Sequence, residues 1–416
     1  MNRARWGAVA PLILGTTASQ ALLVVLAPTV VAIGADLGAS VATVGQARSV
    51  TAAVAITVSV ILSTRPAVWP VPRLLKAGAL LAVLACALVA AAGSVGTFLA
   101  AHVLVGIAFA LLLSGGFGGL GSFEGSERAW AAGHVAAANA LAWVVVNPVA
   151  AWLTAAWSWR AAQAVPATIA VVALLSARRS VPVEAAPESG PAGPGLAPPG
   201  SGLAPPGPMA TAQPSVTAGR WAPLTDPSAR RWVVAETAAF TAWTSLLTFA
   251  GAYFIQRTAA DEATVGWLLA AGAAAYLLTS TRSAVLARRL RTRTLVAASA
   301  TAMGLLMPLM LAVASTRVGA VVAFCLLGLL AGIRTPASAR LGLDQLPGRS
   351  GAMMATRTAA TQLGYLLGAV AGGTLIAVWG YRALGLALGA VMLLSAALAL
   401  RIADSRRPPG ASGSVR

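Results

Sequence analysis

Charge is what this chain has least of. Only 10% of its 416 residues are charged, against about 25% in an ordinary soluble protein. Residues of the set AVILMFWYC make up 58%, and the mean hydropathy is +0.80. A water-soluble fold of this size cannot bury so much apolar surface, nor stay dispersed with so few charges. Acids are the scarcest, 11 Asp+Glu against 29 Lys+Arg, for a formal net charge of +18. Nucleic-acid binding would need those cations on a polar face, but here they punctuate apolar runs, which excludes that class. The two cysteines, Cys86 and Cys325, lie inside apolar runs and make neither a disulfide framework nor a CxxC metal site. No Walker motif points to ATP hydrolysis, and no metal or cofactor is expected. A membrane-embedded enzyme acting on lipid-linked substrates would cluster Asp, His or Lys near one membrane face. With 2 histidines and 11 acids, no such cluster forms and an enzyme is not expected.

What the chain does have is length of apolar run. The first extends over about 7–33 behind Arg3 and Arg5, and is too long for a cleaved leader, so it reads as a retained span. Others follow at about 43–63, 77–93, 96–117, 131–153, 161–177, 232–255, 264–281, 294–314, 318–334, 356–378 and 381–401. Each is near the roughly 20 residues that a bilayer core requires. Twelve spans place both termini on one side, and the positive-inside rule tests the alternation. With the N-terminus cytoplasmic, only Arg48, Arg160, Arg257, Arg317 and Arg382 fall on the outer side, 5 of 29 basic residues. A miscounted helix would scramble this asymmetry.

Residues 178–231 differ in character. They hold 12 of the 24 prolines and an imperfect duplication, Gly195-Leu-Ala-Pro-Pro-Gly200 and Gly202-Leu-Ala-Pro-Pro-Gly207. Such a stretch cannot build a core and reads as a flexible cytoplasmic linker. The expected domains are therefore a six-helix bundle at 1–177, the linker at 178–231, a second bundle at 232–401 and a cytoplasmic tail at 402–416. The halves echo each other: Trp159-Arg160 follows the fifth span as Tyr381-Arg382 follows the eleventh. Two parallel six-helix repeats with a substrate site between them at mid-membrane form a known transporter plan.

Several motifs then resemble the major facilitator superfamily. Leu26-Ala27-Pro28 followed by Gly34-Ala-Asp-Leu-Gly38 is similar to the end of its first helix. Trp157-Ser-Trp-Arg160 is similar to its Gly-Trp-Arg before helix six. Leu286-Ala-Arg-Arg-Leu-Arg-Thr-Arg-Thr-Leu295 resembles the C-terminal copy of its loop motif, with Arg288 and Arg291 in place of the family's Asp and Gly. The N-terminal copy, Ser63 to Arg73, lacks both the Gly and the Asp. In Trp143-Val-Val-Val-Asn-Pro-Val-Ala-Ala151 the proline of the helix-five antiporter motif is kept as Pro148, but its preceding glycine is Asn147. The resemblance implies an all-α polytopic membrane protein with twelve transmembrane helices in two pseudo-symmetric six-helix bundles. It also implies alternating-access transport, and the drug- and sugar-efflux branches are the most similar.

The expected activity is proton-coupled efflux of a small, partly apolar organic molecule by a monomer in the cell membrane. Its partners are then substrate, protons and the lipid bilayer, with no nucleic acid. A membrane enzyme and a non-transporting sensor with eroded motifs are the rival readings. A charge inside a bilayer is a functional candidate because it costs about 2.5–3.5 kcal/mol on insertion scales. Glu236 is the one carboxylate well inside a span, either a proton-coupling group or an interfacial acid paired with a linker cation such as Arg231. His102, in the fourth span, is a second coupling candidate or a hydrogen-bonded structural residue. Arg48 either offers a cation to an anionic substrate or, the favoured reading, pairs with Asp36 at the outer rim. Gln20, Asn139 and Asn147 are candidate cavity amides or helix bridges. Trp243 and Tyr365 are candidate stacking surfaces for a ring-bearing substrate, with Tyr253 assigned to the interfacial belt. Arg73, Arg289, Arg334 and Asp344 are assigned to gates and loops, with Arg334 and Arg357 bracketing the loop that holds Asp344. Gly116-Phe-Gly-Gly-Leu-Gly121 matches GxGxxG but follows no strand, so it is no dinucleotide site.

Overall fold

A computed structural model of the chain describes residues 3–64, 70–123, 125–179, 222–280, 282, 290–314, 316–346 and 350–402. Among these residues there is no strand, and eleven helical stretches are long and apolar enough to cross a membrane. Two details bear on the count, and the second raises eleven to twelve crossings. The first span is divided into Arg3–Val24 and Leu26–Leu37, because Pro28 has no N–H to offer the carbonyl of Val24. At the other end of the chain, Ser350–Leu400 is one helical run interrupted at Gly380, whose φ of 74° and ψ of −174° are non-helical. Its apolar part, 45 residues, would be about 68 Å long if straight, twice the thickness of a bilayer core of about 30 Å. Gly380 turns the chain, leaving an eleventh span at 350–379 and a twelfth at 381–400.

The remaining spans are Val41–Thr64, Val71–Ala90, Val95–Gly118, Gly125–Ala156, Ala164–Arg179, Pro227–Thr258, Glu262–Ser280, Thr292–Pro308, continued by a π-turn to Val313, and Arg317–Leu343. Their connections at 38–40, 91–94, 157–158, 259–261 and 314–316, with Gly380, all lie at one end of the molecule and are short. We call this the tight-turn end. The connections at the opposite, long-loop end fall largely outside the described residues. So does most of the linker, with its duplication, and so do Arg289 and nearly all of the tail.

Several helices outrun their expected ends, because intrahelical hydrogen bonding continues wherever backbone partners exist, whether or not the side chains are apolar. The third begins at Val71 instead of 77, nucleated by Pro72 after an extended Pro70. The tenth runs nine residues beyond Arg334, through Pro336, to Leu343. That extension decides where Arg334 ends up.

The spans before the linker pack chiefly on one another, and so do those after it. The two sets meet where the first span touches the seventh, the second the eleventh and the fifth the eighth. A shift of six spans exchanges the last two pairings and leaves the first in place, as a parallel repeat about a two-fold axis requires. A side-chain lock repeats as well. Trp159 Nε1 donates to Asp36 Oδ2 at 3.1 Å, and Tyr381 Oη donates to Gln256 Oε1 at 2.8 Å. Each ties the start of one half's last span to the end of its first.

Gly364, Gly368 and Gly372 form a ridge on the eleventh span that seats against the seventh. A Cβ at Gly368 would stand 2.6 Å from the carbonyl oxygen of Thr241, closer than real contacts allow. Replacing Gly368 by Val is expected to destabilise the protein by about 1–3 kcal/mol through overpacking, read as a lower unfolding temperature of the purified protein in detergent. Gly133→Ala, whose Cβ meets nothing within 4 Å, is expected to leave it unchanged.

Candidate functional site

A cavity of about 650 Å³ lies between the two sets of helices. That is a size suited to a drug-like molecule, typically about 300–1,000 Å³. Its wall is mostly apolar and aromatic, with Phe109, Phe240 and Phe324 among its rings, and the residues from both halves include Gln20, Asn139, Trp143, Asn147, Trp243, Tyr276 and Tyr365. The tight-turn end is shut by close backbone approach. Gly251 lies against the Ala27 carbonyl, Gly45 against the Phe249 ring, and Gly266 against Asn147 and Ala151. Gln46 Nε2 donates across the halves to the Ala369 carbonyl at 3.3 Å. Gly133, Thr335, Pro336, Arg357 and Thr358 line the cavity toward the long-loop end.

All five expected cavity residues therefore line one cavity. Gln20 is also a helix bridge, accepting from Trp143 Nε1 at 3.1 Å. Asn147 donates to the Trp143 carbonyl of its own helix at 2.6 Å. The amide oxygens of Asn139 and Asn147 are buried with no hydrogen-bond donor among the described residues. Tyr253 departs from expectation: it is 1% exposed, inside the second bundle, where its hydroxyl donates to the Met310 carbonyl at 2.6 Å. Its helix end is covered by neighbouring helices, so no lipid interface reaches it.

Glu236 is wholly buried and accepts three hydrogen bonds, from Arg334 Nη2 at 2.7 Å, Ser338 Oγ at 2.7 Å and Arg357 Nε at 3.1 Å. The expected alternative of an interfacial acid paired with Arg231 does not hold. The assignment of Arg334 to a gate or loop is corrected too. Arg334 is 3% exposed and paired inside the bundle, because the tenth helix continues past it. Both guanidiniums stand about equally over the Phe240 ring, at 6.0 and 5.7 Å, and Arg357 reaches the cavity wall. Two cations against one carboxylate leave a formal charge of +1. Ser338 and Trp232 complete the cluster, with Trp232 Nε1 donating to the Ser338 carbonyl at 2.9 Å. Neither was anticipated, although each stands four residues from a charged member, Ser338 after Arg334 and Trp232 before Glu236, and so shares its helix face.

The rim pairing of Arg48 with Asp36 is overturned. Asp36 pairs with Arg160, which also donates to the Ala92 carbonyl at 2.9 Å. The Arg160 guanidinium, followed by the Trp159 indole, holds the Asp36 carboxyl below its ordinary range. The stabilisation from this pair is thus present above the ordinary carboxylate range and lost only as pH falls through the lowered value. Near-neutral pH changes leave it intact. Arg48 instead lies inside the molecule, 2% exposed, with its guanidinium 6.0 Å from the Trp143 ring centre and 5.7 Å from that of Tyr365. All three of its side-chain nitrogens are buried without a hydrogen-bond partner among the described residues.

His102 is buried, with Nδ1 2.8 Å from the Phe98 carbonyl and its ring against that of Phe98, tilted by 54°. Arg73 is exposed at the start of the third span, and Asp344 caps the end of the tenth. Among the described residues no three His, Cys, Asp or Glu side chains gather as a metal site.

A twelve-crossing helical protein whose halves enclose a closed-ended cavity belongs to the class of two-bundle membrane proteins. Residues 232–416 match the Major Facilitator Superfamily profile, and no curated protein matches the chain. The second half of the chain is thus similar to the Major Facilitator Superfamily, a family of membrane transporters.

Breaking a buried ion pair from one side leaves an uncompensated charge, worth about 3–5 kcal/mol. Glu236→Gln, which strands both guanidiniums, is expected to lower the unfolding temperature most, and Arg334→Met, which loses the 2.7 Å hydrogen bond but leaves Glu236 paired with Arg357, by less. The double variant should recover part of the loss, giving a favourable coupling in a double-mutant cycle. Additive losses would show that the pair is not coupled.

Proposed function

We propose that the protein is a secondary-active transporter that couples proton movement to efflux of a small, partly apolar organic molecule by alternating access. The observation that carries this reading is the cavity between the halves, shut at the tight-turn end and bordered by the Glu236 cluster. Orientation follows from the charge asymmetry of the chain, which assigns the long-loop end to the cytoplasm. On that assignment the shut end is the outer one, which supports a protein that takes its substrate from inside. The rocking units are the two bundles, 1–177 and 232–401, joined by the linker at 178–231.

Glu236 is the coupling residue in this reading. It connects the seventh span with the tenth through Arg334 and with the eleventh through Arg357. A proton on the carboxylate would remove the attraction that gathers both guanidiniums. Arg357, at the cavity wall, would then be free to turn toward the cavity, and the eleventh span, which also packs on the second, would lose one restraint on its position. Protonation therefore acts on the interface between the halves and not on a group remote from it. His102, already hydrogen-bonded along its own helix and packed against Phe98, is assigned a structural role.

The test is transport in proteoliposomes under an imposed pH gradient, with a compound panel and a pH-sensitive dye inside. The wild-type protein is expected to move at least one compound and to dissipate the gradient as it does so. Glu236→Gln is expected to abolish gradient-driven movement, and the Glu236→Gln/Arg334→Met double variant, which keeps the cluster at its formal +1, should behave alike. Transport by the double variant that still follows the gradient would remove Glu236 from the mechanism.

A further inference from the structure

The proposed function leaves Arg48 without a role, and its surroundings are unusual. A guanidinium carries five N–H donors and is not deprotonated in proteins. Burying it without acceptors costs several kcal/mol, which structures avoid unless something balances the charge. No described carboxylate is available to do so. Asp36 is held by Arg160, and Glu236 by Arg334 and Arg357. Asp226 and Asp261 cap helices, Glu262 opens the eighth span at the tight-turn end, Glu127 lies in the first turn of the fifth span, and Asp344 ends the tenth. The groups on Arg48 are instead two aromatic faces, Trp143 of the fifth span and Tyr365 of the eleventh, and both rings line the cavity. The other titratable group within electrostatic reach is His102, on the fourth span.

The same sign recurs across the cavity. Arg357 is the one charged side chain among the described lining residues, and its cluster bears a formal +1. With Arg48 the cavity is bordered by a formal +2 and no uncompensated acid. A cation entering it would be repelled from both sides, whereas an anion would be attracted to both and find five unused donors at one of them.

Resting on the transporter reading, we propose that the substrate is an organic anion, a small aromatic or otherwise planar molecule with one carboxylate-like group, which Arg48 binds between Trp143 and Tyr365. A guanidinium suits this role because its planar fork meets both oxygens of a carboxylate. Trp143 and Tyr365 belong to different halves of the protein, so a substrate held at Arg48 touches both. Arg48 also sits beside the junction that must part if the tight-turn end is to open, since its neighbours Gln46 and Ser49 reach the Ala369 and Leu366 carbonyls of the eleventh span. Occupancy of this site is thereby linked to the contact between the second and eleventh spans. The rings screen the cation while the site is unfilled, through attraction to their faces, but they cannot satisfy its donors.

The experiment compares three probes of like size on the purified full-length protein: 1-naphthoate, 2-naphthalenemethanol and 1-naphthylmethylammonium. Each is read by ligand-induced shift of the unfolding temperature and by equilibrium binding. The anion is expected to raise the unfolding temperature and to bind at least tenfold more tightly than the other two. In Arg48→Met the shift by naphthoate should vanish, while the ligand-free variant should unfold at or above the wild-type temperature, because an unbalanced buried charge has been removed. Arg48→Lys should keep weakened binding.

Naphthoate binding equally well to Arg48→Met would overturn the proposal, as would a ligand-free Arg48→Met that unfolds well below wild type, which would mean that Arg48 is balanced within the protein. Preference for the neutral or cationic probe would overturn it too, but would leave the transporter reading standing. That reading fails separately, if no compound is moved in the proteoliposome assay whatever binds here.

Discussion

In a membrane interior every charge must find its counter-charge inside the protein, and this chain supplies very few acids. Glu236 is accordingly shared between two arginines from two other helices, and three spans of the second bundle are fixed by that single carboxylate. The arrangement is costly to assemble and costly to break from one side, which is what a switchable contact needs. A hydrophobic replacement of the same shape would hold the helices as well, but it could not respond to a proton. The scarcity of acids thus makes the cluster the anchor of the second bundle and, in the proposed transport cycle, the place for coupling. The same scarcity leaves Arg48 with aromatic faces in place of a carboxylate.

Around this cluster the two halves repeat a common plan. Trp159 on Asp36 and Tyr381 on Gln256 perform the same tie in different chemistry, one as a donor to an ion-paired acid and the other as a neutral hydrogen bond. The conserved element is geometric, an aromatic donor at the start of the last span reaching the end of the first. The function-bearing differences lie elsewhere. The first bundle contributes the amides and Arg48, and the second contributes the ionic cluster, whose Arg357 is the charged residue of the described cavity lining. Glycines at the junctions allow the halves to close largely by backbone contact, joined by the Gln46 and Ser49 hydrogen bonds to the eleventh span.

The sequence made the spans legible because a bilayer demands long apolar runs, and the alternation of basic residues fixed their number. The cavity residues Gln20, Asn139, Asn147, Trp243 and Tyr365 were legible for a related reason, since polar or aromatic side chains deep in such runs have little use except toward a neighbour or a cavity. Two kinds of information were absent. Helix ends were misplaced wherever a charge halted the apolar run before the helix stopped, and Arg334 was assigned to a loop for that reason. Partners were misplaced wherever nearness along the chain stood in for nearness in space. Arg48 and Asp36 are twelve residues apart, yet Asp36 binds Arg160, 124 residues away, and Glu236 binds partners 98 and 121 residues away.

The central claim is that the two bundles rock about the cavity, so that one end closes as the other opens. Its most direct measurement is a pair of spin-label distances in lipid nanodiscs, one between positions 94 and 316 at the tight-turn end and one between 76 and 291 at the long-loop end. The account predicts that a shift in pH, or saturation with a transported compound, lengthens one distance while shortening the other. Two distances that stay fixed, or that change together in the same direction, would contradict it.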